Sequence, residues 1–535
     1  MEALDWLVIG VFFLALIGII VWVVRQKQND SADYFLGGRD ATWLAIGASI
    51  FASNIGSEHL IGLAGAGASS GMAMAHWEIQ GWMILILGWV FVPFYSRSMV
   101  YTMPEFLERR YNPQSRTILS VISLVSYVLT KVAVTVYAGG LVFQQVFGIK
   151  ELWGIDFFWI AAIGLVVLTA LYTIFGGMKS VLYTSVLQTP ILLLGSLIIL
   201  VLGFKELGGW DEMMRVCGAV TVNDYGDTMT NLIRSNDDAN FPWLGALIGS
   251  AIIGFWYWCT DQFIVQRVLS GKNEKEARRG TIFGAYLKLL PVFLFLIPGM
   301  IAFALHQKYI GAGGEGFLPM LANGTANADA AFPTLVAKLL PAGVKGLVVC
   351  GILAALMSSL ASLFNSSAML FTIDFYKRFR PETPEKKLVG IGQIATVVIV
   401  ILGILWIPIM RSVGDVLYTY LQDVQSVLAP GIAAAFLLGI CWKRTSAQGG
   451  MWGLIAGMII GLTRLGAKVY YSNAGEVADS TFKYLFYDMN WLFFCGWMFL
   501  FCIIVVIVVS LATEAPTAEK IQGLVFGTAT KEQKA

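Results

Sequence analysis

The chain of 535 residues contains 57% hydrophobic and 13% charged residues, and its formal net charge at pH 7 is only +2. A mean hydropathy of +0.72 excludes a soluble globular protein, and the small net charge argues against a nucleic-acid partner. The three histidines and six cysteines show no metal-ligand spacing, and HExxH and nucleotide-binding glycine motifs are absent, so we predict that the protein is not an enzyme.

The apolar runs predict a polytopic all-α membrane protein. A helix needs about 20 apolar residues to cross the hydrocarbon core of a bilayer. About thirteen runs meet this requirement, and the first lacks the basic start and the cleavage site of a signal peptide. The predicted spans are 6–24, 42–66, 77–96, 117–147, 153–174, 180–203, 243–268, 281–305, 343–373, 388–410, 416–440, 450–467 and 487–511.

The basic residues predict the orientation of these spans. With the N-terminus outside, most Lys and Arg residues fall in inner loops, and the short outer loops hold only Lys150 and Arg411. We therefore expect a multi-pass protein of the plasma membrane whose C-terminus is cytoplasmic. The segment 512–535 is predicted to be a disordered cytoplasmic tail.

The first unusual span contains "FASNIGSEHLIGLAGAGASSG", residues 51–71. Its small residues, such as Gly65 and Gly67, are typical of close helix packing. Packing does not account for Asn54, Glu58 and His59, because unpaired polar groups are costly in hydrocarbon. We predict a helix that breaks near Gly56, where freed carbonyls can coordinate a cation or a substrate.

Two later stretches are also polar at membrane depth. The stretch "GFWYWCTDQFIVQR", residues 254–267, joins flat rings to hydrogen-bonding groups, a combination that suits a sugar, although aromatic residues also form interfacial belts. The stretch "AALMSSLASLFNSS", residues 354–367, carries serines on one helical face. Their neutral oxygens suit a monovalent cation, although a serine face also serves helix packing. Further polar partners are available at Glu78, Lys288 and Gln422.

These stretches resemble the sodium/solute symporter family, in particular its sodium/glucose cotransporter branch. The resemblance covers roughly residues 5–467 and rests on several long motifs, among them "YTMPEFLERRY", "WYWCTDQFIVQRVLSGKN", "GAYLKLLPVFLFLIPGM" and "LMSSLASLFNSSAMLFTIDFYKR". It implies a leucine-transporter-like fold, with a five-plus-five inverted repeat. The expected parts are an extra helix and inner loop at 1–41, repeats at 42–203 and 243–440 around an outer loop at 204–242, two final helices at 441–511, and the tail 512–535.

The resemblance also implies two binding sites. The coupling ion, Na⁺, would be held by the carbonyls of Ala52, Ile55 and Ala355 and by the hydroxyls of Ser358 and Ser359. A sugar would be bound by Asn54, His59, Glu78, Lys288 and Gln422, with Tyr257 covering it as the inner gate and Trp258 beside it.

One position departs from the family pattern. Many members read Tyr-Thr-Asp in the fifth core helix, where this chain has Ser185, and Ala361 stands where some members place a serine. Both changes remove oxygen ligands from a second sodium site, so we expect one sodium per sugar. The leading hypothesis is sodium-driven symport of a hexose across the lipid bilayer. The alternatives are symport of another polyol-like solute, such as myo-inositol, and a sugar-gated sensor.

Overall fold

The computed structural model describes residues 1–26, 30–56, 58–321, 324–413, 417–473 and 478–528, with side chains except at 129, 130, 409–423 and 473. Ten helices in these ranges are long and apolar enough to cross a membrane. The strands within the same ranges, Glu151–Leu152 and Ile155–Asp156, form one short antiparallel hairpin. The polytopic all-α class is therefore confirmed, while the count of about thirteen spans stays a prediction.

The first half of the chain consists of helices joined by short connections. Several of them continue through a π-helical or 3-10 segment, so each is given by the bounds of its parts. They are Ala3–Val24, Ser31–Leu36, Trp43–Asn54, Glu58–Leu63, Ala64–Ser69, the continuous run Gly71–Ser98, Met103–Arg110, Pro113–Ser126, Tyr127–Val132, Ala133–Phe147, Phe157–Leu207 and Trp210–Gly218.

The second half repeats this organisation and ends on a short helix. Its helices are Trp243–Gly254, Phe255–Thr260, Gln262–Leu269, Glu274–Leu287, Val292–Leu296, Ile297–Gly311, Ala331–Leu339, Val344–Met369, Leu370–Tyr376, Glu385–Val413, Leu417–Cys441, Ala447–Asn473, Trp491–Ala512 and Ala518–Ile521. We call Val344–Met369 the serine helix, because it carries Ser358 and Ser359.

The helical segment Phe157–Leu207 covers two predicted spans, 153–174 and 180–203, and the residues between them. It contains 51 residues, and its backbone leaves helical geometry at Gly177, where φ is 53° and ψ is −148°. A straight helix of this length would measure about 77 Å, more than twice the thickness of a hydrocarbon core. The segment therefore supplies two spans. A side chain at Gly177 would collide with the carbonyl oxygen of Tyr34, so glycine is required at the break.

Glycines also explain how closely the helices approach. A Cβ atom at Gly67 would lie 2.3 Å from the carbonyl oxygen of Leu296, and one at Gly299 would lie 2.0 Å from that of Ala64. The helices Ala64–Ser69 and Ile297–Gly311 are therefore in backbone contact. This confirms the packing role predicted for the small residues after His59.

The serine helix is anchored at its start by the first helix of the chain. Asp5 Oδ1 accepts hydrogen bonds from the backbone N–H groups of Gly343 at 2.7 Å and Gly346 at 2.8 Å. The Asp5 side chain is buried, with 1% exposure. A carboxylate at a helix N-terminus satisfies free amides and is favoured by the helix dipole. The extra N-terminal helix therefore positions the serine helix.

The prediction of a disordered tail is wrong for residues 513–528. Ile521 and Val525 are buried, with 8% and 1% exposure. The Phe526 N–H donates to the carbonyl of Ile440 at 2.9 Å, and its ring meets Phe94 edge-on at 5.0 Å. The prediction failed because it considered the average composition of the segment, which is polar. The segment contains the apolar run "IQGLVF", which packs against the helix ends.

Candidate functional site

The first broken helix spans residues 43–69 and is interrupted where the sequence predicts. Its first part, Trp43–Asn54, ends because Ile55 is extended, with φ −77° and ψ 102°. The chain resumes as the π-helical turn Glu58–Leu63, whose first amides reach back to the carbonyl of Gly56. The interruption removes local carbonyl groups from the helical hydrogen-bond ladder and leaves them available as ligands.

The second broken helix spans residues 243–269. A π-helical segment, Phe255–Thr260, ends at Asp261, which is extended with φ −77° and ψ 128°. The Asp261 carboxylate caps the following helix by accepting from the Phe263 N–H at 3.1 Å. The polar serine stretch, by contrast, lies in a continuous helix. The two interruptions therefore fall in the first helix of each expected repeat.

An ion pair ties the second broken helix to the helix 127–132. Lys131 Nζ lies 2.7 Å from Asp261 Oδ2, and the Tyr127 hydroxyl donates to the same carboxylate. The ammonium also lies 4.6 Å from the centroid of the Tyr257 ring and 4.9 Å from that of Phe263. The charge is thus neutralised by a carboxylate and surrounded by aromatic faces. This contact accounts for two of the ionisable residues at membrane depth.

A polar cavity lies between the two broken helices. Of the seven residues predicted to bind sugar, six line it, while the side chain of Gln422 lies outside the described residues. Five further residues complete the wall. The lining consists of Asn54, Glu58, His59, Trp77, Glu78, Gln80, Ile253, Tyr257, Trp258, Lys288 and Gln425.

Three charged or polar side chains form a cluster on one wall of this cavity. Lys288 Nζ lies 2.6 Å from Glu78 Oε2 and 2.7 Å from His59 Nε2, and Glu78 Oε1 lies 3.2 Å from the same histidine nitrogen. All three side chains are at least 96% buried. The Trp258 ring faces the ammonium at 5.7 Å. The cluster offers both acceptors and donors to hydroxyl groups beside a flat ring.

The Tyr257 hydroxyl closes the cavity on the side of the predicted sodium ligands. The Asn54 amide donates to it at 3.0 Å, and a second cavity, which reaches Lys131 and Ser359, lies beyond. In each cavity, the volume that the centre of a water molecule can occupy is only about 20 Å³, which is enough for about one water molecule. The broken helices must therefore separate, or side chains must rotate, before a six-membered ring can enter.

The hydroxyl of Ser359 meets the broken backbone of the first broken helix. It donates to the carbonyl of Ser53 at 2.7 Å and lies 3.4 Å from that of Ile55. Ala52 and Ala355, the other two carbonyl ligands predicted for sodium, are buried on the same two helices. The oxygens that converge here are neutral, and the described residues contain no cluster of His, Cys, Asp and Glu suited to a metal ion. This chemistry fits a monovalent hard cation better than a divalent one.

Ser185 borders this site. Its hydroxyl donates to the Val181 carbonyl at 2.6 Å and lies 3.3 Å from the Ser358 hydroxyl and 3.4 Å from that of Ser49. Ala361 is fully buried and provides no side-chain oxygen. The position that departs from the family pattern therefore carries only neutral hydroxyl groups next to the predicted sodium ligands.

The cavity contains three polar residues that are not among the predicted sugar ligands, namely Glu58, Gln80 and Gln425. Glu58 lines both cavities, and among the described residues its carboxylate makes no hydrogen bond or ion pair. The sequence singles out Glu58 together with Asn54 and His59, but the predicted sugar ligands do not include it. Gln425 follows the predicted Gln422 by three residues in the stretch "TYLQDVQ", and the role of Gln422 stays a prediction because its side chain lies outside the described residues.

The comparisons with known proteins find sodium-coupled cotransporters. The profile of the sodium:solute symporter family matches residues 34–457. The mouse sodium/myo-inositol cotransporter 2 is 37% identical over 99% of this chain and 80% of its own length, and the zebrafish sodium/glucose cotransporter 4 is 36% identical over 97% and 80%.

Solved structures show the same fold. A substrate-bound, outward-open sodium-coupled sialic acid symporter aligns with a TM-score of 0.77 at 21% identity, covering 96% of this chain and 99% of its own. MhsT in complex with L-phenylalanine aligns with a TM-score of 0.53 at 12% identity, covering 88% and 99%. The expected leucine-transporter-like fold is therefore confirmed.

Proposed function

The chain belongs to the sodium:solute symporter family, and from this premise we propose that it carries a hexose across the membrane together with one sodium ion. Sodium is the coupling ion, a sugar or polyol-like solute is the cargo, and the family is one of transporters. The proposal concerns the particular solute, the residues that bind it and the number of ions.

The observation that carries the proposal is the cluster of Glu78, His59 and Lys288 opposite Tyr257 and Trp258. A sugar presents hydroxyl groups at its edge and C–H groups on its faces. The cluster can exchange hydrogen bonds with the edge, while the aromatic rings cover a face. We therefore assign these five residues and Asn54 to the sugar site.

Myo-inositol is the second candidate. It carries a hydroxyl on every ring carbon, so it has more donors to offer than a hexose ring does. The cavity contains a second acidic residue, Glu58, whose carboxylate form accepts hydrogen bonds from hydroxyl groups. The mouse and human relatives that are 37% and 36% identical are sodium/myo-inositol cotransporters. These two observations favour testing myo-inositol beside glucose and galactose.

We assign sodium to the carbonyls of Ala52, Ile55 and Ala355 and the hydroxyls of Ser358 and Ser359. The Ser359 hydroxyl already contacts the carbonyl of Ile55 at 3.4 Å, which supports the assignment. An ion at this point links the first broken helix to the serine helix. Since the first broken helix also lines the sugar cavity, binding of the ion and binding of the sugar are expected to favour each other.

The arrangement in the membrane completes the proposal. We place the N-terminus outside and the C-terminus in the cytoplasm of a plasma membrane, because this orientation leaves few basic residues in the short outer loops. The repeats are assigned to 42–203 and 243–440, and each begins with a broken helix. Alternating access would then move the broken helices against the rest of the bundle.

The deciding experiment is uptake into proteoliposomes. Purified protein should accumulate labelled glucose or galactose when an inward sodium gradient is imposed, and a potassium gradient is the control. Competition by unlabelled myo-inositol at equal concentration ranks the two candidates. Uptake that is independent of sodium would refute the proposal, and downhill flux without accumulation would identify a sugar-gated sensor instead.

A further inference from the structure

The docked C-terminal segment, residues 513–528, forms one side of a further, open cavity. This cavity measures about 590 Å³. Arg110, Ser446 and the first turn of the helix Ala447–Asn473 form its floor, while Thr513, Thr517 and Lys520 form its rim. We propose that it binds a phosphate group, either inorganic phosphate or the headgroup phosphate of an anionic lipid.

Arg110 supplies the main reason. Its side chain is 1% exposed, and its guanidinium donates to the carbonyls of Gly439 at 2.6 Å and Thr445 at 3.0 Å. The third nitrogen, Nη1, has no partner among the described residues, and no carboxylate there forms an ion pair with this guanidinium. Burying a cation without a counter-ion costs several kcal/mol. An anion in the cavity that Arg110 lines would reduce this cost.

The helix Ala447–Asn473 supplies an independent reason. It is 27 residues long, and Ala447 and Gln448 in its first turn line the cavity. Ser446 caps this end by accepting from the Gly449 N–H at 3.0 Å. The remaining amides of a first turn have no partner within their own helix, and the helix dipole makes this end attractive to anions.

The rim adds cations and hydroxyl groups. Lys520 is exposed at the rim, and Arg444 lies next to the rim, where it donates to the carbonyl of Thr513 at 2.7 Å. The hydroxyls of Thr513 and Ser446 lie 2.6 Å apart. The acidic residue of the lining is Glu514, which is exposed, and Glu519 is next to Lys520 in sequence.

This set of groups matches the chemistry of phosphate. Arginine and lysine form charge-assisted hydrogen bonds with phosphate oxygens, and hydroxyl and amide groups donate to the remaining ones. Three cations, Arg110, Arg444 and Lys520, stand against two exposed carboxylates, Glu514 and Glu519, in or beside the cavity. Because the segment 513–528 forms half of the wall, bound phosphate would fasten this segment to the bundle.

The test uses the full-length protein in nanodiscs of neutral phosphatidylcholine. Inorganic phosphate is titrated against chloride at matched ionic strength, and thermal unfolding is recorded. In parallel, part of the phosphatidylcholine is replaced by phosphatidylglycerol. Stabilisation by inorganic phosphate identifies a soluble anion as the ligand, and stabilisation by phosphatidylglycerol alone identifies a lipid headgroup. The absence of both effects overturns the proposal.

Variants locate the effect. An exposed basic residue near an anionic surface contributes about 1 kcal/mol, so Lys520→Ala should weaken the affinity for the effective anion about fivefold, and Lys520→Glu should weaken it further. Lys386→Ala removes an equally exposed charge at the start of another helix and should change nothing. Because Arg110 also holds backbone carbonyls, Arg110→Lys is informative only if the variant folds. If Lys520→Ala and Lys386→Ala behave alike, the anion binds elsewhere and the proposal is wrong.

Discussion

Replacing Glu78 by Gln tests the polar cluster directly. In the closed cavity this carboxylate lies 2.6 Å from Lys288 Nζ, and the two side chains are 2% and 4% exposed. Glutamine has almost the same shape but no charge. The change therefore removes the counter-ion of a buried ammonium and converts a charged acceptor for sugar hydroxyls into a neutral one.

The two effects have different sizes. Removing one partner of a buried ion pair typically lowers the free energy of unfolding by about 3–5 kcal/mol, both in the free protein and in its complex with sugar. A charge-assisted hydrogen bond is about twice as strong as a neutral one, so the loss specific to sugar should reach at least about 1.4 kcal/mol, or tenfold in affinity. We expect Glu78→Gln to lower both stability and sugar affinity, and Lys288→Ala to impair transport as well.

The assay combines thermal unfolding with the sugar concentration dependence of sodium-driven uptake. The double variant Glu78→Gln/Lys288→Gln separates the roles, because it removes both charges and leaves no unpaired ammonium. It should recover stability and remain weak in sugar binding. Glu212→Gln is the matched control, since Glu212 pairs with Arg215 at 2.7 Å on the surface. If Glu78→Gln binds sugar normally, Glu78 is structural and our site assignment is wrong.

Three further predictions follow from other parts of the chain. Ser359→Ala should raise the sodium concentration needed for half-maximal uptake and also weaken sugar binding, since linkage is reciprocal; an unchanged sodium dependence would refute the ion site. A reversal-potential measurement should give one sodium per sugar, and a ratio near two would mean that ligands other than Ser185 compensate for the missing carboxylate. Burial raises the pKa of Asp329, in the outer segment, to about 6, so its contribution to stability is complete below about pH 4 and lost as the pH rises through about 6. Asp329→Asn should therefore raise the melting temperature at neutral pH and leave it unchanged at about pH 4, and equal effects at both values would contradict this reasoning.

The sequence predicts those parts of the protein that depend on neighbouring residues. Apolar runs predict the positions of the helices. The polar residues around Asn54 predict the first interruption, because Gly56 and the polar side chains beside it weaken the helix locally. The second interruption, at Asp261, was not located from the residues alone. Its neighbouring aromatic residues are equally typical of an interfacial belt.

Other features depend on contacts between distant residues. The contact between His59 and Lys288 joins residues 229 positions apart, and no local pattern specifies it. The place of Gln425 in the cavity wall depends on how its helix packs against the first broken helix, and the sequence around Gln425 does not specify that packing. The docking of Val525 depends on a groove that exists only after the helices have assembled.

The attachment of Asp5 to the start of the serine helix has a consequence for coupling. This contact holds the start of the helix that carries Ser358 and Ser359, whereas Ile55 belongs to a helix whose hydrogen bonds are already interrupted. We therefore expect the two sets of proposed sodium ligands to differ in freedom, with the set on the serine helix stationary and the set on the first broken helix mobile. We expect sodium to bind tightly only when the mobile part has approached the stationary one. The affinity for sodium would then depend on the conformation of the transporter. A concentration gradient of sodium would therefore set the direction in which that conformation changes.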